Sequence, residues 1–331
     1  MSGALTRALL RPPPGEAADG RWWRFQAPEA SLVATAPEEI PELLEHVERA
    51  GERGLWAVGF LAYEAAPAFD PALAVTAPGA APLAAFGLFP PPERIDVPAR
   101  AEAAPQAGLH PLLDEAAHAA AIAAIRAAIA AGETYQVNFT FPLRGRFAGD
   151  AEALFWRLAP ASAAPYAAFL DCGATAVVSL SPELFFSRQG DRLVMRPMKG
   201  TRRRGRFTIE DDRQAAELAG SAKERAENLM IVDMVRNDLG RIAATGSVAV
   251  ESLMALERYP TVWQMTSTVA ANTTAGLPDI FAALFPCASV TGAPKARTMR
   301  WIARLERRPR GIYCGAIGWV APQRRASFSV A

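Results

Sequence analysis

Residues 183–201 read ELFFSRQGDRLVMRPMKGT, two runs of strand-forming residues flanking Gln189-Gly190-Asp191. A glycine between short polar residues, bounded by Val, Leu and Phe on both sides, predicts a tight β-hairpin with strands over 183–188 and 192–196. A hairpin commits its sheet to an antiparallel ladder, in which residues equidistant from the turn face each other. Counting outward, Glu183 falls opposite about 196–198, so Glu183 and Lys199 share the open end of the hairpin. Ser181-Pro182 and Gly200-Thr201 flank the pair and read as loop. A carboxyl and an amine held together on rigid strands can serve as general acid and nucleophile. The same pair is equally consistent with a surface salt bridge worth ~0–1 kcal/mol.

The rest of the chain predicts more strands followed by helices. Strands are expected over 55–63, 82–89, 135–143, 166–171, 174–179, 248–254, 261–269, 311–321 and 325–331. Helices are expected over 37–50, 112–132, 151–159, 278–284 and 294–306, with one long helix over 209–239 closed by Gly240. Runs of strands and then of helices indicate α+β, with large antiparallel sheets and helices packed outside, and not a doubly wound parallel sheet. At ~150 residues per domain the 331 residues suggest two units. The proline-rich stretch 90–105 divides an N-terminal α/β part, 1–100, from a larger part, 110–331.

Composition excludes several functions. Net charge is +1, from 35 basic and 34 acidic residues, which gives no electrostatic case for nucleic acid or a membrane surface. The run Arg202-Arg203-Arg204-Gly205-Arg206 is a single cluster without interleaved aromatics, so no nucleic-acid partner is expected. No apolar run is long enough for a transmembrane helix, and Pro12-Pro13-Pro14 interrupts the N-terminal apolar run, so a cytoplasmic location is expected. His46, His110 and His118 are the only histidines, which excludes a histidine triad or histidine metal site in the last two-thirds. Cys172, Cys287 and Cys314 are unclustered and fit a reducing compartment. Lysine is scarce beside arginine, occurring only at Lys199, Lys223 and Lys295, so a lysine position is worth reading as a need for an amine.

Two further patterns carry chemistry. Glu224 and Glu227, three residues apart, share one face of the long helix, an arrangement open either to a hard cation such as Mg²⁺ or to solvent. Asp233–Gly240 puts further polar side chains into the end of that helix. Ser289-Val290-Thr291-Gly292-Ala293-Pro294-Lys295 opens a helix whose first N–H groups can receive a carboxylate, although a plain capped helix has the same sequence.

These segments, in order over about 112–331, resemble the chorismate-utilising enzymes. The resemblance rests on Gly132-Glu133-Thr134-Tyr135-Gln136-Val137-Asn138, Pro165-Tyr166, Ser181-Pro182-Glu183, Pro197-Met198-Lys199-Gly200-Thr201, Glu224 and Glu227, Ser289–Lys295, and Arg310-Gly311-Ile312-Tyr313-Cys314-Gly315. Gly59–Glu64 (GFLAYE) resembles the family's more variable N-terminal part. Members with a small residue at the place of Lys199 make anthranilate, isochorismate or salicylate. Members with lysine there aminate chorismate at C4. The resemblance therefore implies a transferase of p-aminobenzoate and folate synthesis, forming 4-amino-4-deoxychorismate with ammonia from a glutamine amidotransferase partner. Anthranilate synthesis, or chorismate binding without turnover, is the alternative.

By the same resemblance Lys199 is the nucleophile and Glu183 the general acid. Thr291, Gly292, Tyr313, Gly315 and Gln264 contact substrate, and Glu227 with Glu224 holds Mg²⁺. Two departures stand out. Relatives continue past Phe328-Ser329-Val330-Ala331 into an arginine-bearing segment and a further metal carboxylate, so the C-terminal part of the catalytic unit is expected to be missing. Many relatives carry histidine where Gln264 stands.

Overall fold

In a computed structural model, the described residues are 3–14, 16, 19–98 and 108–331. Among them two antiparallel sheets dominate. The larger has ten strands, in the order Met198–Arg203, Val262–Asn272, Arg192–Arg196, Leu184–Gln189, Arg325–Val330, Ala316–Ala321, Trp56–Leu61, Ala84–Phe89 and Ala30–Ala34, with Ala249–Arg258 on the outer side of Val262–Asn272. The smaller runs Ala176–Ser181, Tyr166–Asp171, Arg7–Leu10, Trp22–Gln26 and Glu93–Ile95. The helices are α1 (Ile40–Glu52), α2 (Glu115–Ala130), α3 (Ala151–Ser162), α4 (Thr208–Gly220), α5 (Ala222–Gly240), α6 (Leu277–Leu284) and α7 (Lys295–Glu306). This is the α+β sandwich that the sequence implies.

Strand alternation builds the layers. In Trp22–Gln26, Trp22 turns outward to Phe155 and Trp156 of α3, whereas Trp23 turns inward to Trp56 and Trp319 of the large sheet, with ring centroids 5.1 and 5.4 Å away. Trp23, Phe25, Trp56, Val58, Phe89 and Trp319 thus fill the space between the sheets. The far face of the large sheet packs on α1, α5 and α6 through Phe186, Phe281, Phe328, Leu44 and Val235.

The division near residue 100 is a division of sequence, and the strands interleave across it. Trp56–Leu61 pairs with Ala316–Ala321, and Arg7–Leu10 pairs with Tyr166–Asp171. The proposed linker over 90–105 falls partly on 99–105, outside the described residues. Three further readings change. The long helix over 209–239 is two helices, because Gly220 ends α4 and the Ser221 hydroxyl caps α5 by accepting from the Glu224 N–H at 3.4 Å. The strand over 135–143 is two short pieces, Gln136–Val137 paired with Gly292–Ala293 and Leu143–Arg144 paired with His110–Pro111, and residues 138–142 between them are unpaired. Arg7–Leu10, Trp22–Gln26 and Ala30–Ala34 are strands that carry no clear alternation of polarity, because each is covered on both faces or half exposed.

Candidate active site

The hairpin turns on Gly190-Asp191, with Gln189 opposite Arg192 and Leu184 opposite Arg196 across one irregularity in register. Glu183 therefore meets the residues just past Arg196, and the Met198 N–H donates to its Oε1 at 3.3 Å. The backbone of Glu183 is fixed by its neighbours. Its N–H donates to Ser181 Oγ at 3.2 Å, and its carbonyl accepts from the Val330 N–H at 3.1 Å. Glu183 lines a cavity of about 480 Å³ together with Ser181, Pro182, Tyr313, Cys314 and Val330. Burial raises the Glu183 carboxyl above its ordinary value, against the opposing effects of the Ser289 hydroxyl, the Lys199 charge and the Met198 N–H.

Lys199 reaches the same region from the adjacent strand. Its Nζ donates to Asn138 Oδ1 at 3.0 Å, a neutral partner. Burial lowers its pKa, while the negative charges of Glu183 and Glu227 oppose that shift. The two shifts favour the same proton distribution, a neutral amine beside a protonated carboxyl. That is the state in which one can attack carbon and the other can protonate a leaving group. Cys287, close enough to feel Glu183, is pushed by burial up to about 12, so it is an inert thiol at neutral pH.

The other sequence candidates are distributed as follows. Glu224 and Glu227 lie on one face of α5, partly buried, with Lys223 Nζ 3.9 and 3.6 Å from their carboxylates. Among the described residues no three metal-capable His, Cys, Asp or Glu side chains cluster. The pair supplies two hard oxygen ligands on the side of Lys199, which suits Mg²⁺ held partly by water and by an anionic substrate. Thr291 is fully buried, and its hydroxyl donates to the carbonyls of Cys287 and Ala288 at 3.2 and 3.3 Å. Gly292 has φ +143°, and a Cβ there would stand 2.0 Å from the Gln136 carbonyl, so only glycine fits. Gly315 is packed against Leu61 backbone. Tyr313 is 57% exposed and borders both the 480 Å³ cavity and an apolar groove of about 840 Å³. Gln264 lies opposite Thr201, whose hydroxyl donates to its Oε1 at 2.8 Å. The Lys199 amine thus feels the charges of both Glu183 and Glu227, while the Thr291 hydroxyl and Gly292 lie against backbone carbonyls.

Several residues to which the sequence assigned no role shape the site. Asn138 holds Lys199, and its own carbonyl accepts from Arg310 Nη2 at 2.7 Å. Arg310 is clamped by Glu306, reaches the Val290 carbonyl, and lies 4.6 Å over the Tyr63 ring. Glu64 accepts from the Arg310 and Gly311 N–H groups at 2.7 and 2.9 Å. Asn138 Nδ2 and Gln136 Oε1, two residues apart, are buried without a hydrogen-bond partner. They leave one donor and one acceptor open. On α5 the buried stripe Asn228, Ile231, Val232, Val235, Asp238 and Leu239 singles out Asn228 and Asp238 as polar groups that need partners. That periodicity was the available signal. The arginine run is also accounted for, since Arg202 pairs with Glu217 and Arg204 with Asp211 of α4.

A family profile described as chorismate binding enzyme matches residues 15–331, and the chain belongs to that family. Aminodeoxychorismate synthase component 1 of Escherichia coli K12 is 44% identical over 192 residues, which are 57% of this chain and 42% of that protein. Anthranilate synthase component 1 of Aquifex aeolicus is 40% identical over 205 residues, 61% of this chain and 42% of that one. These matches thus span about two-fifths of the relatives' length. The crystal structure of anthranilate synthase component I from Streptococcus pneumoniae superposes with a TM-score of 0.81 at 21% identity, over 93% of this chain and 82% of that one. Among the described residues no helix is long and apolar enough to cross a membrane.

Proposed function

We propose that this chain aminates chorismate at C4, giving 4-amino-4-deoxychorismate, with ammonia delivered by a glutamine amidotransferase partner. The observation that carries the reading is Lys199 beside Glu183, an amine on a neutral amide partner facing a desolvated carboxyl. Neutral Lys199 Nζ attacks ring carbon C2 as the C4 hydroxyl departs, and Glu183 gives that hydroxyl its proton, so water leaves. The lysine is then bound as a secondary ammonium. Ammonia adds at C4 and the C2–N bond breaks, releasing lysine as the free amine. The carboxylate of Glu183 recovers a proton from the new C4 ammonium through solvent. Ring, water and amine balance without an oxidant.

Glu227 and Glu224 would hold Mg²⁺, which when bound supplies positive charge to neutralise a substrate carboxylate. Asn138 keeps the amine aimed by accepting from it, and its open Nδ2 can donate to a substrate oxygen. Relatives named aminodeoxychorismate synthase and anthranilate synthase match at similar identity, so the product is the test. The chain is incubated with chorismate, Mg²⁺ and ammonium, and the ring product is identified by mass spectrometry. The expected product is 4-amino-4-deoxychorismate without pyruvate. Anthranilate with equimolar pyruvate would overturn the proposal.

A further inference from the structure

We propose that Asn228 is a positioning residue whose carboxamide, inserted between two strands, fixes the backbone bulge from which Lys199 rises. The inference rests on the reading of Lys199 as the nucleophile. Met198 pairs with Thr266 and Thr201 with Gln264, so Lys199 and Gly200 stand together opposite the single residue Met265. Two residues against one is a β-bulge, and it interrupts the ladder at that point.

Asn228 of α5 fills the gap. Its Nδ2 donates to the carbonyls of Lys199 and Met265, each at 3.4 Å. Its Oδ1 accepts from Ser267 Oγ at 2.6 Å. Ser267 Oγ in turn accepts the Met254 N–H at 2.9 Å, so its own proton is directed at Asn228. That sequence of donors and acceptors leaves the carboxamide one orientation, with its NH₂ toward the two carbonyls. Asn228 is 1% exposed and Ser267 is fully buried, so water offers neither an alternative partner.

Gly200 completes the bulge at φ +98°, where a Cβ would press on Met265, Glu224 and Leu218 at 3.2–3.3 Å. Asn228 directly follows Glu227 in sequence, so one side chain ties the helix bearing the carboxylates to the strand bearing the amine. Without it the buried Met265 carbonyl and the partly buried Lys199 carbonyl lose this donor, and the strand is free to slip back into register. A slip of one residue sends every side chain of the slipped segment to the opposite face of the sheet, which would remove Lys199 from Asn138 and Glu183.

The chain's three lysines make a direct test possible. Full-length wild type, Asn228→Ala and Ser267→Ala are pulse-labelled with acetic anhydride across a pH series, and modification at each lysine is quantified by peptide mass spectrometry. Lys223, whose side chain is 76% exposed, serves as the reference. In wild type Lys199 should titrate below an ordinary lysine. In Asn228→Ala its midpoint should rise by about one pH unit as the amine returns to water. Ser267→Ala, which keeps the amide but frees its orientation, should give a smaller rise and carries the test if Asn228→Ala does not fold. In parallel, kcat for chorismate should fall about 100-fold in Asn228→Ala, with KM within about threefold. An unmoved Lys199 midpoint in the folded variants overturns the inference. The labelling uses no chorismate, so a moved midpoint in a chain whose wild type does not aminate chorismate would uphold the clamp and end the functional proposal alone.

Discussion

Lys199 and Lys295 are both drawn in from solvent near the ends of α5, yet they are held by different chemistry. Lys199 donates to the neutral amide of Asn138 at 3.0 Å, with the Glu183 carboxyl nearby but engaged by Met198. Lys295 donates to the Asp238 carboxylate at 2.9 Å and to the Leu284 carbonyl at 3.3 Å, joining α7 to α5. A carboxylate partner stabilises the charged amine, whereas a buried amide leaves the neutral form within reach. Burial without a bonded carboxylate sets Lys199 apart from Lys295, whose carboxylate partner fastens α7 to α5.

The sharpest way to break this comparison is to remove each amine in turn. Lys199→Ala should reduce amination by on the order of 10⁴-fold or more, while circular dichroism and thermal unfolding remain close to wild type. Wild-type turnover in that variant would make Lys199 a bystander. Glu183→Gln should cost about 10²–10⁴-fold and change the shape of the pH profile. In the proposed mechanism turnover needs neutral lysine and protonated carboxyl, so wild-type activity should fall at both pH extremes. The amide cannot deprotonate, so the variant should keep its activity at high pH. It also removes a negative charge that raises the Lys199 pKa, so the rise with pH should begin lower. A bell-shaped profile identical to wild type in Glu183→Gln would exclude it as the acid.

Lys295→Met should act in the opposite sense. Removing one partner of a pair whose side chains are 15% and 12% exposed should cost about 3 kcal/mol, read by urea unfolding. Rate per folded molecule should change little. The smallest effect is on pH-dependent stability. The Glu183 pKa is raised in the folded state, so its contribution is fully present below the ordinary value of 4.5 and is lost as pH rises through the folded value. Urea midpoints measured upward from pH 4.5 should therefore decline more in wild type than in Glu183→Gln. Equal slopes would show that the carboxyl is not desolvated.

The hairpin was legible because its register is local. A two-residue turn fixes which residues face each other, so the meeting of Glu183 and Lys199 follows from counting along the chain. The α+β class was legible for the related reason that strand and helix periods differ. The break at Gly220-Ser221 was hidden because both halves are good helix formers and the cap is one serine. The contacts of Asn138 and Ser267 were hidden because each acts on groups far away in sequence, and Asn228 showed only as a polar member of the buried α5 stripe. Asn228 and Lys199 are 29 residues apart, and Lys199 and Asn138 are 61. Thr291 was legible as a member of a family block, but the two backbone carbonyls to which its hydroxyl donates became visible only in the fold.

The strand Arg325–Val330 is wedged between the hairpin strand Leu184–Gln189 and Ala316–Ala321, which in turn carries Trp56–Leu61. It is the keystone joining the hairpin's half of the sheet to the N-terminal half, and its carbonyl at Val330 also receives Ser181 beneath Glu183. During synthesis the early strands must therefore wait for this late segment before the sheet can close. Such long-range closure is slow, and a nascent chain halted before residue 325 would hold its acid and its amine on an unfinished edge.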